Sequence, residues 1–234
     1  VSPIDAAPAG APGPLPRLHV VTDDSLLGRG GWEARAVGVL EAGGPDVCLH
    51  LRGPRTDGAT VHRLAVGLLP HARRTGARLV VNDRIDIALA APVHGVHLGR
   101  RSLPVAVGRQ LLGPGKPLGV SCHDAAEIAA ARQGGADYVF VGTIFATPTH
   151  PDVPGLGLEG LAATLAGREA LPVVAIGGID PAGVAGVLGA GAQGIAVVRG
   201  VWAGRDPAGA VRRYIDEIER AAGAAARTRE GRQA

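Results

Sequence analysis

Aromatic residues are scarce in this chain, with two Phe, two Tyr and two Trp among 234 residues, although 46% of the chain is hydrophobic. Any core must therefore be filled mainly by Ala, Val, Leu and Ile. Only two cysteines occur, Cys48 and Cys122, which leaves no disulfide framework. Both lie in apolar runs expected to be strands, so they read as buried, inert thiols in a reducing compartment. No window is long and apolar enough to span a membrane, and the first residues lack the basic and apolar regions of a signal peptide; the expected location is cytoplasmic. Charge of one sign is also missing. The 24 basic and 21 acidic residues leave a net +3, much of it near the termini. No basic stripe alternates with aromatics, which excludes a nucleic-acid footprint.

What the chain does contain is a series of short apolar runs rich in β-branched residues. Val173-Val174-Ala175-Ile176-Gly177-Gly178-Ile179-Asp180 and Gly194-Ile195-Ala196-Val197-Val198-Arg199-Gly200 are the clearest. Such runs are too brief for helices and suit strands buried on both faces, as in a parallel sheet covered by helices. Strands are expected at Leu18–Thr22, Asp46–Arg52, Ala77–Asn82, Gly95–Leu98, Leu118–Ser121, Tyr138–Gly142, Val173–Ile176 and Gly194–Val198. Helical patterns fall between and after them, near 29–42, 58–75, 84–91, 103–112, 124–134, 158–167, 181–190 and 207–222. Eight strands alternating with eight helices indicate an α/β fold, a single (β/α)8 TIM barrel over 17–222. Residues 1–16, rich in Pro, Ala and Gly, read as a disordered tail, and 223–234 as a flexible C-terminal tail.

In such barrels the chemistry sits at the C-terminal ends of the strands. Almost every polar side chain of the expected strands falls there. After the seventh and eighth strands, the backbone N–H groups at Gly177, Gly178, Val198 and Arg199 form a phosphate-binding corner, because glycine lets a phosphate approach closely. The alternative for the glycines is tight helix–strand packing. Arg52 shares strand parity with Cys48 and His50, so its planar fork reaches the mouth and suits a carboxylate or phosphate; pairing with Asp23 or Asp83 is the competing role. His50 is either a second acid/base group or a hydrogen-bonded filler. Asn82 and Asp83 differ in parity, so a regular strand turns only one inward; Asn82 is the ligand contact, and Asp83 caps the helix starting at Arg84. Ser121 and His123 share parity at the end of the fifth strand. The imidazole of His123 is the candidate acid/base group, although Asp124-Ala125-Ala126-Glu127 after it is a capping box. His97 reads as a core or rim histidine, and Trp202 and Tyr214 as packing for the last helix. Thr147-Pro148-Thr149-His150 reads as a loop able to fold over a ligand.

These residues resemble the thiamine phosphate synthase / thiazole tautomerase family. The likeness runs through Leu18-His19-Val20-Val21-Thr22-Asp23, His50-Leu51-Arg52, Asn82-Asp83-Arg84-Ile85-Asp86, Gly95-Val96-His97-Leu98-Gly99, Ser121-Cys122-His123, Gly135-Ala136-Asp137-Tyr138, Ala175-Ile176-Gly177-Gly178-Ile179 and Gly191-Ala192-Gln193-Gly194-Ile195. A synthase of this family joins a pyrimidine methyl diphosphate to a thiazole phosphate, with cations and Mg²⁺ on the departing diphosphate. The family pattern implies a glutamine, an arginine, two lysines and two metal carboxylates at places that here read His50, Arg52, Pro54, Asp83, Ser102 and His150. Arg52, Asn82 and Asp83 match; both lysines and one carboxylate are absent, with Arg100 or Arg101 as candidate substitutes. The tautomerase branch uses no metal. The resemblance therefore implies an isomerase that aromatises a carboxythiazole phosphate through His123, with Arg52, His50, Asn82 and Ser121 around the heterocycle and Gly177, Gly178, Val198 and Arg199 on its phosphate. The first alternative is the Mg²⁺-dependent synthase, with Asp83 on the metal; the second is a non-catalytic, phosphate-ligand-binding regulatory barrel. No cofactor is expected on the tautomerase reading. The expected partner is a small phosphorylated thiazole, with neither nucleic acid nor membrane, and a homodimer or higher homo-oligomer is open.

Overall fold

Short β-branched runs separated by capped helices give the expected barrel. The computed structural model describes residues 14–147, 154–166 and 171–233. Strands β1 (Leu18–Val21), β2 (Val47–Leu51), β3 (Arg78–Asn82), β4 (Gly95–Leu98), β5 (Leu118–Cys122), β6 (Tyr138–Val141), β7 (Val173–Ile176) and β8 (Gly194–Val197) pair in parallel in chain order, and β8 returns to β1. The helices are α1 (Asp24–Leu27), α2 (Trp32–Gly43), α3 (Gly58–Thr75), α4 (Ile85–Ala90), α5 (Val105–Leu112), α6 (Ala125–Gln133), α7 (Gly157–Leu165), α8 (Val184–Gly189), α9 (Arg199–Trp202) and α10 (Pro207–Gln233). Aspartate side chains open several of them: Asp57 accepts from the Thr60 N–H, and Asp124 accepts from that of Glu127. Each satisfies an N–H that the first turn cannot bond internally. None of the described helices is long and apolar enough to cross a membrane.

The one-turn helices α1 and α9 follow β1 and β8 and were not legible in the sequence. Asp23 caps α1, which buries Leu26 and Leu27. At the C-terminus, the helix expected over 207–222 continues to Gln233, through the segment read as a tail. Its alanines, Ala221, Ala222, Ala224, Ala225 and Ala226, explain this, since Ala has the best helix propensity and one Gly among them is tolerated.

Strand alternation separates two apolar layers. Leu18, Val20, Leu49, Leu51, Leu79 and Val81 point outward into the helix-covered core. Inside the barrel, Val21, Tyr138, Phe140, Val174 and Ala196 form a smaller cluster with His19, His50 and His97 around them. These rings need room. Gly119 provides some of it, because a Cβ there would overlap the Tyr138 ring.

Residues 1–13 of the expected N-terminal tail lie outside the described residues, but its last three lie beneath the barrel. Leu15 packs on the inner cluster and Pro16 is buried. The Pro14 carbonyl accepts from the Arg78 guanidinium at 2.8 Å, and that of Arg17 from the Ile195 N–H at 2.8 Å.

Two glycine-to-alanine substitutions should act in opposite directions. Gly119→Ala forces the Tyr138 ring aside and should lower stability by about 1–3 kcal/mol, read from the urea midpoint. Gly223→Ala, whose Cβ meets only the end of Arg227 at 3.5 Å, should slow amide exchange in that part of α10 about two- to fivefold.

Candidate functional site

The mouth of the barrel is assembled from the residues just beyond the strands. At the end of β2, the Arg52 N–H donates to Thr22 Oγ1 at 2.8 Å, and the Thr22 hydroxyl donates to the Arg52 carbonyl at 3.0 Å. This reciprocal pair ties the ends of β1 and β2. The half-buried Arg52 guanidinium has no hydrogen-bond partner among the described residues, so the expected pairing with Asp23 or Asp83 does not form. It lies near enough to His97 to disfavour a second positive charge there.

At the end of β3, Asn82 is 8% exposed and its Oδ1 accepts from His50 Nδ1 at 3.1 Å. His50 is thus tied into the barrel interior, the filler role among its two expected ones. Asp83 follows with φ of 64°, a left-handed conformation in which Asp is enriched among non-glycine residues. That turn takes its carboxylate away from α4, whose N-cap is Arg84 rather than Asp83. Asp83 Oδ1 instead accepts from the Gly99 N–H at 2.8 Å and from the Ser102 hydroxyl. The helix cap expected for Asp83 is therefore replaced by a link between the loops after β3 and β4. Its other carboxylate oxygen is unengaged among the described residues.

Ser121 turns to His97 Nε2, 2.9 Å away. His123 takes a different direction. Its Nδ1 lies 2.9 Å from Glu127 Oε2, which also accepts the His123 backbone N–H at 2.7 Å. Glu127 holds this half-exposed ring over the first turn of α6, which Asp124 caps; because Glu127 accepts from the His123 N–H rather than from that of Asp124, only the Asp124 half of the expected capping box forms.

Beneath the mouth, burial pushes the His50 imidazole down to about 4, against the opposing effect of its hydrogen bond to the Asn82 oxygen. His19 and His97 are lowered well below the usual histidine value, again chiefly by burial. All three rings are neutral at neutral pH. Burial pushes the thiols of Cys48 and Cys122 up to about 12, so neither is a ready nucleophile. His19 escaped the sequence reading; its alternation with Val21 beside Cys48 and His50 was the available signal.

Across the mouth, Gly177 has φ of 107° and Gly178 φ of 66°. A Cβ on Gly177 would lie 2.9 Å from Thr143 Cα, and one on Gly178 2.7 Å from the Ala146 carbonyl oxygen. Close approach of the loop after β6 therefore requires both glycines. Their N–H groups, and those of Arg199 and Gly200 at the start of α9, donate to no partner among the described residues. Val198 is the residue before α9 and is half-buried. Of the Thr147–His150 loop, residues 148–150 lie outside the described residues.

The chain is similar in sequence and fold to known proteins. The family described as Thiamine monophosphate synthase matches residues 18–201. A thiamine-phosphate synthase of Chloroflexus aurantiacus is 44% identical over 197 residues, 84% of this chain and 89% of that protein. One of Moorella thermoacetica is 42% identical over 207 residues, 82% and 98% of the two chains. A thiamine biosynthesis bifunctional protein of Symbiobacterium thermophilum is 46% identical over 151 residues; these are 64% of this chain, which spans about a third of that protein (32%). Among solved structures, thiamine phosphate pyrophosphorylase from Pyrococcus furiosus aligns with a TM-score of 0.76 and 30% identity, covering 88% of this chain and 96% of that one.

These relatives overturn the tautomerase expectation. Proteins 41–44% identical to this chain bear the name thiamine-phosphate synthase. That expectation gave weight to His123 as an acid/base group and to Ser102 as a lost metal carboxylate. In the structure Glu127 engages His123, and Ser102 bonds to the carboxylate of Asp83. With the family match extending from Leu18 in β1 to Val201 in α9, the chain belongs to the thiamine monophosphate synthase family.

Proposed function

We propose that this chain is a transferase that joins a pyrimidine methyl diphosphate to a thiazole phosphate and releases diphosphate. The observation that carries the reading is the 42% identity with a named thiamine-phosphate synthase over 98% of that protein's length. In the reaction the bond between the pyrimidine methylene carbon and the diphosphate oxygen breaks. The electron pair leaves on diphosphate while the methylene carbon bonds to the thiazole. Positive groups at the mouth must therefore hold a charge that grows as the bond breaks.

The free Arg52 guanidinium suits that task, because its planar fork can grip two phosphate oxygens. Arg100 and Arg101, in the loop between β4 and α5, add positive charge beside Asp83 and Ser102. The free N–H groups of Gly177, Gly178, Arg199 and Gly200 take the phosphate of the thiazole, whose negative charge matches their partial positive charge. Asn82, oriented by His50, and Ser121, oriented by His97, contact the heterocycles.

The site fits a magnesium ion shared with diphosphate. Asp83 has one carboxylate oxygen fixed by Gly99 and Ser102 and the other unengaged, while Mg²⁺ commonly takes one or two carboxylates with substrate phosphates and waters. When bound, the ion neutralises charge on the leaving diphosphate. Asp83 would hold it; the Ser102 hydroxyl would keep that carboxylate in place.

Incubating the purified chain with pyrimidine methyl diphosphate, thiazole phosphate and Mg²⁺ should yield thiamin phosphate, and chelating the metal should stop the reaction. No product under these conditions would sink the proposal. Arg52→Ala should lower kcat/KM by about 10²–10³-fold, the scale for loss of one donor to developing charge. Asp83→Asn keeps an oxygen for the Gly99 N–H and a side chain tolerant of positive φ. It should remain within about 0.5 kcal/mol of the parent in urea unfolding, yet need several-fold more Mg²⁺ for half-maximal rate.

A further inference from the structure

Beneath the mouth, the register of β1 and β2 sets His19 beside Cys48 and Val21 beside His50. His19, Cys48 and His50 all face the barrel interior and are no more than 2% exposed. His19 Nδ1 lies 2.8 Å from His50 Nε2, and Cys48 Sγ lies 3.4 Å from the same nitrogen. The three donor atoms fall within 4.8 Å of one another, the one such group of His, Cys or acidic residues among the described residues.

The outer nitrogens of the two rings determine what lies between the inner ones. His19 Nε2 is 3.0 Å from the Pro16 carbonyl oxygen, and His50 Nδ1 is 3.1 Å from Asn82 Oδ1. Neither oxygen can donate, so each of those nitrogens carries the hydrogen. An imidazole with one N–H that spends it on the outer nitrogen has a bare lone pair on the inner one. His19 Nδ1 and His50 Nε2 then turn lone pairs toward each other at 2.8 Å, with Cys48 Sγ 3.4 Å from the latter, an arrangement that suits a cation held among the three.

We infer that His19 Nδ1, His50 Nε2 and Cys48 Sγ form a zinc-type metal site inside the barrel, separate from the magnesium position at Asp83. Zinc takes nitrogen at about 2.0–2.1 Å and thiolate sulfur at about 2.3 Å, which places tetrahedral nitrogen neighbours roughly 3.3 Å apart and nitrogen–sulfur neighbours roughly 3.6 Å apart. Opening the His19–His50 contact by about half an ångström, and the Cys48–His50 contact by less, meets two of those spacings, and the third pair, His19 with Cys48, lies within 4.8 Å. The carbonyl partners of the outer N–H groups are what metal-bound imidazoles use to fix tautomer and orientation. The Tyr138 hydroxyl nearby is buried and without a hydrogen-bond partner, on a ring whose centroid is 5.7 Å from that of His19. Nitrogen and sulfur donors select zinc or a similar ion over magnesium. The bound ion ties β1 to β2 and fixes His50, which in turn holds Asn82 at the mouth.

The test is to produce the full chain without a polyhistidine tag in cobalt-supplemented medium and to measure its metal content and absorption. About one cobalt per chain is expected, with a thiolate-to-cobalt charge-transfer band that vanishes in Cys48→Ser and persists in Cys122→Ser. X-ray absorption on the unaltered protein should show one sulfur and two nitrogens, a readout that does not depend on a variant folding. Metal-free protein, a band that survives Cys48→Ser, or a coordination sphere without sulfur would each overturn the site. The amide of Asn82 would then be turned over, and a proton would lie between the two rings.

Discussion

A closed parallel barrel must fill its own interior from the alternate residues of strands only four or five residues long. That constraint governs the rest of the molecule. A chain with so few aromatic residues places Tyr138 and Phe140 inside, together with three imidazoles. The His97 and Phe140 rings lie 4.1 Å apart between centroids, and small residues make room for them. Gly119 lies beside Tyr138 in the β5–β6 register, while Ala196 lies beside His19 between β8 and β1. Large rings on some strands thus require almost no side chain on their neighbours.

An interior filled this way is polar, and its polarity links the floor of the barrel to the mouth. Pro16, His19, His50 and Asn82 form one continuous series of contacts from beneath β1 to the end of β3. His97 extends from the same layer to Ser121. Asn82 and Ser121 at the mouth are therefore oriented by His50 and His97 from within the barrel. Burial keeps those imidazoles neutral and the Cys48 thiol high. The histidines that look most reactive in the sequence accordingly organise the interior, while the positive charge at the mouth comes from arginine.

The strands were legible because β-branched runs ending in glycine or charge have few other readings, and their registers follow once the barrel closes. Site location was also legible, since the polar residues fall at one end of the strands. Orientation was not. Alternation permits only one of Asn82 and Asp83 to point inward, but Asp83 leaves the strand conformation and turns to Gly99 and Ser102. The position of His123 in the motif says nothing of its competition with Glu127 four residues later. The branch of the family was misread for a related reason: Pro54, Ser102 and His150 were weighed as single losses, whereas identity along the whole barrel points to the synthase name.

The segment beneath the barrel has a consequence of its own. Pro14 to Arg17 run across the opening at the N-terminal ends of the strands, with Leu15 against the inner cluster, Pro16 beside His19 and the Arg17 carbonyl bound to Ile195. The chain thereby lays its own floor under the barrel, and the rings of the interior are covered at that end by backbone rather than by solvent.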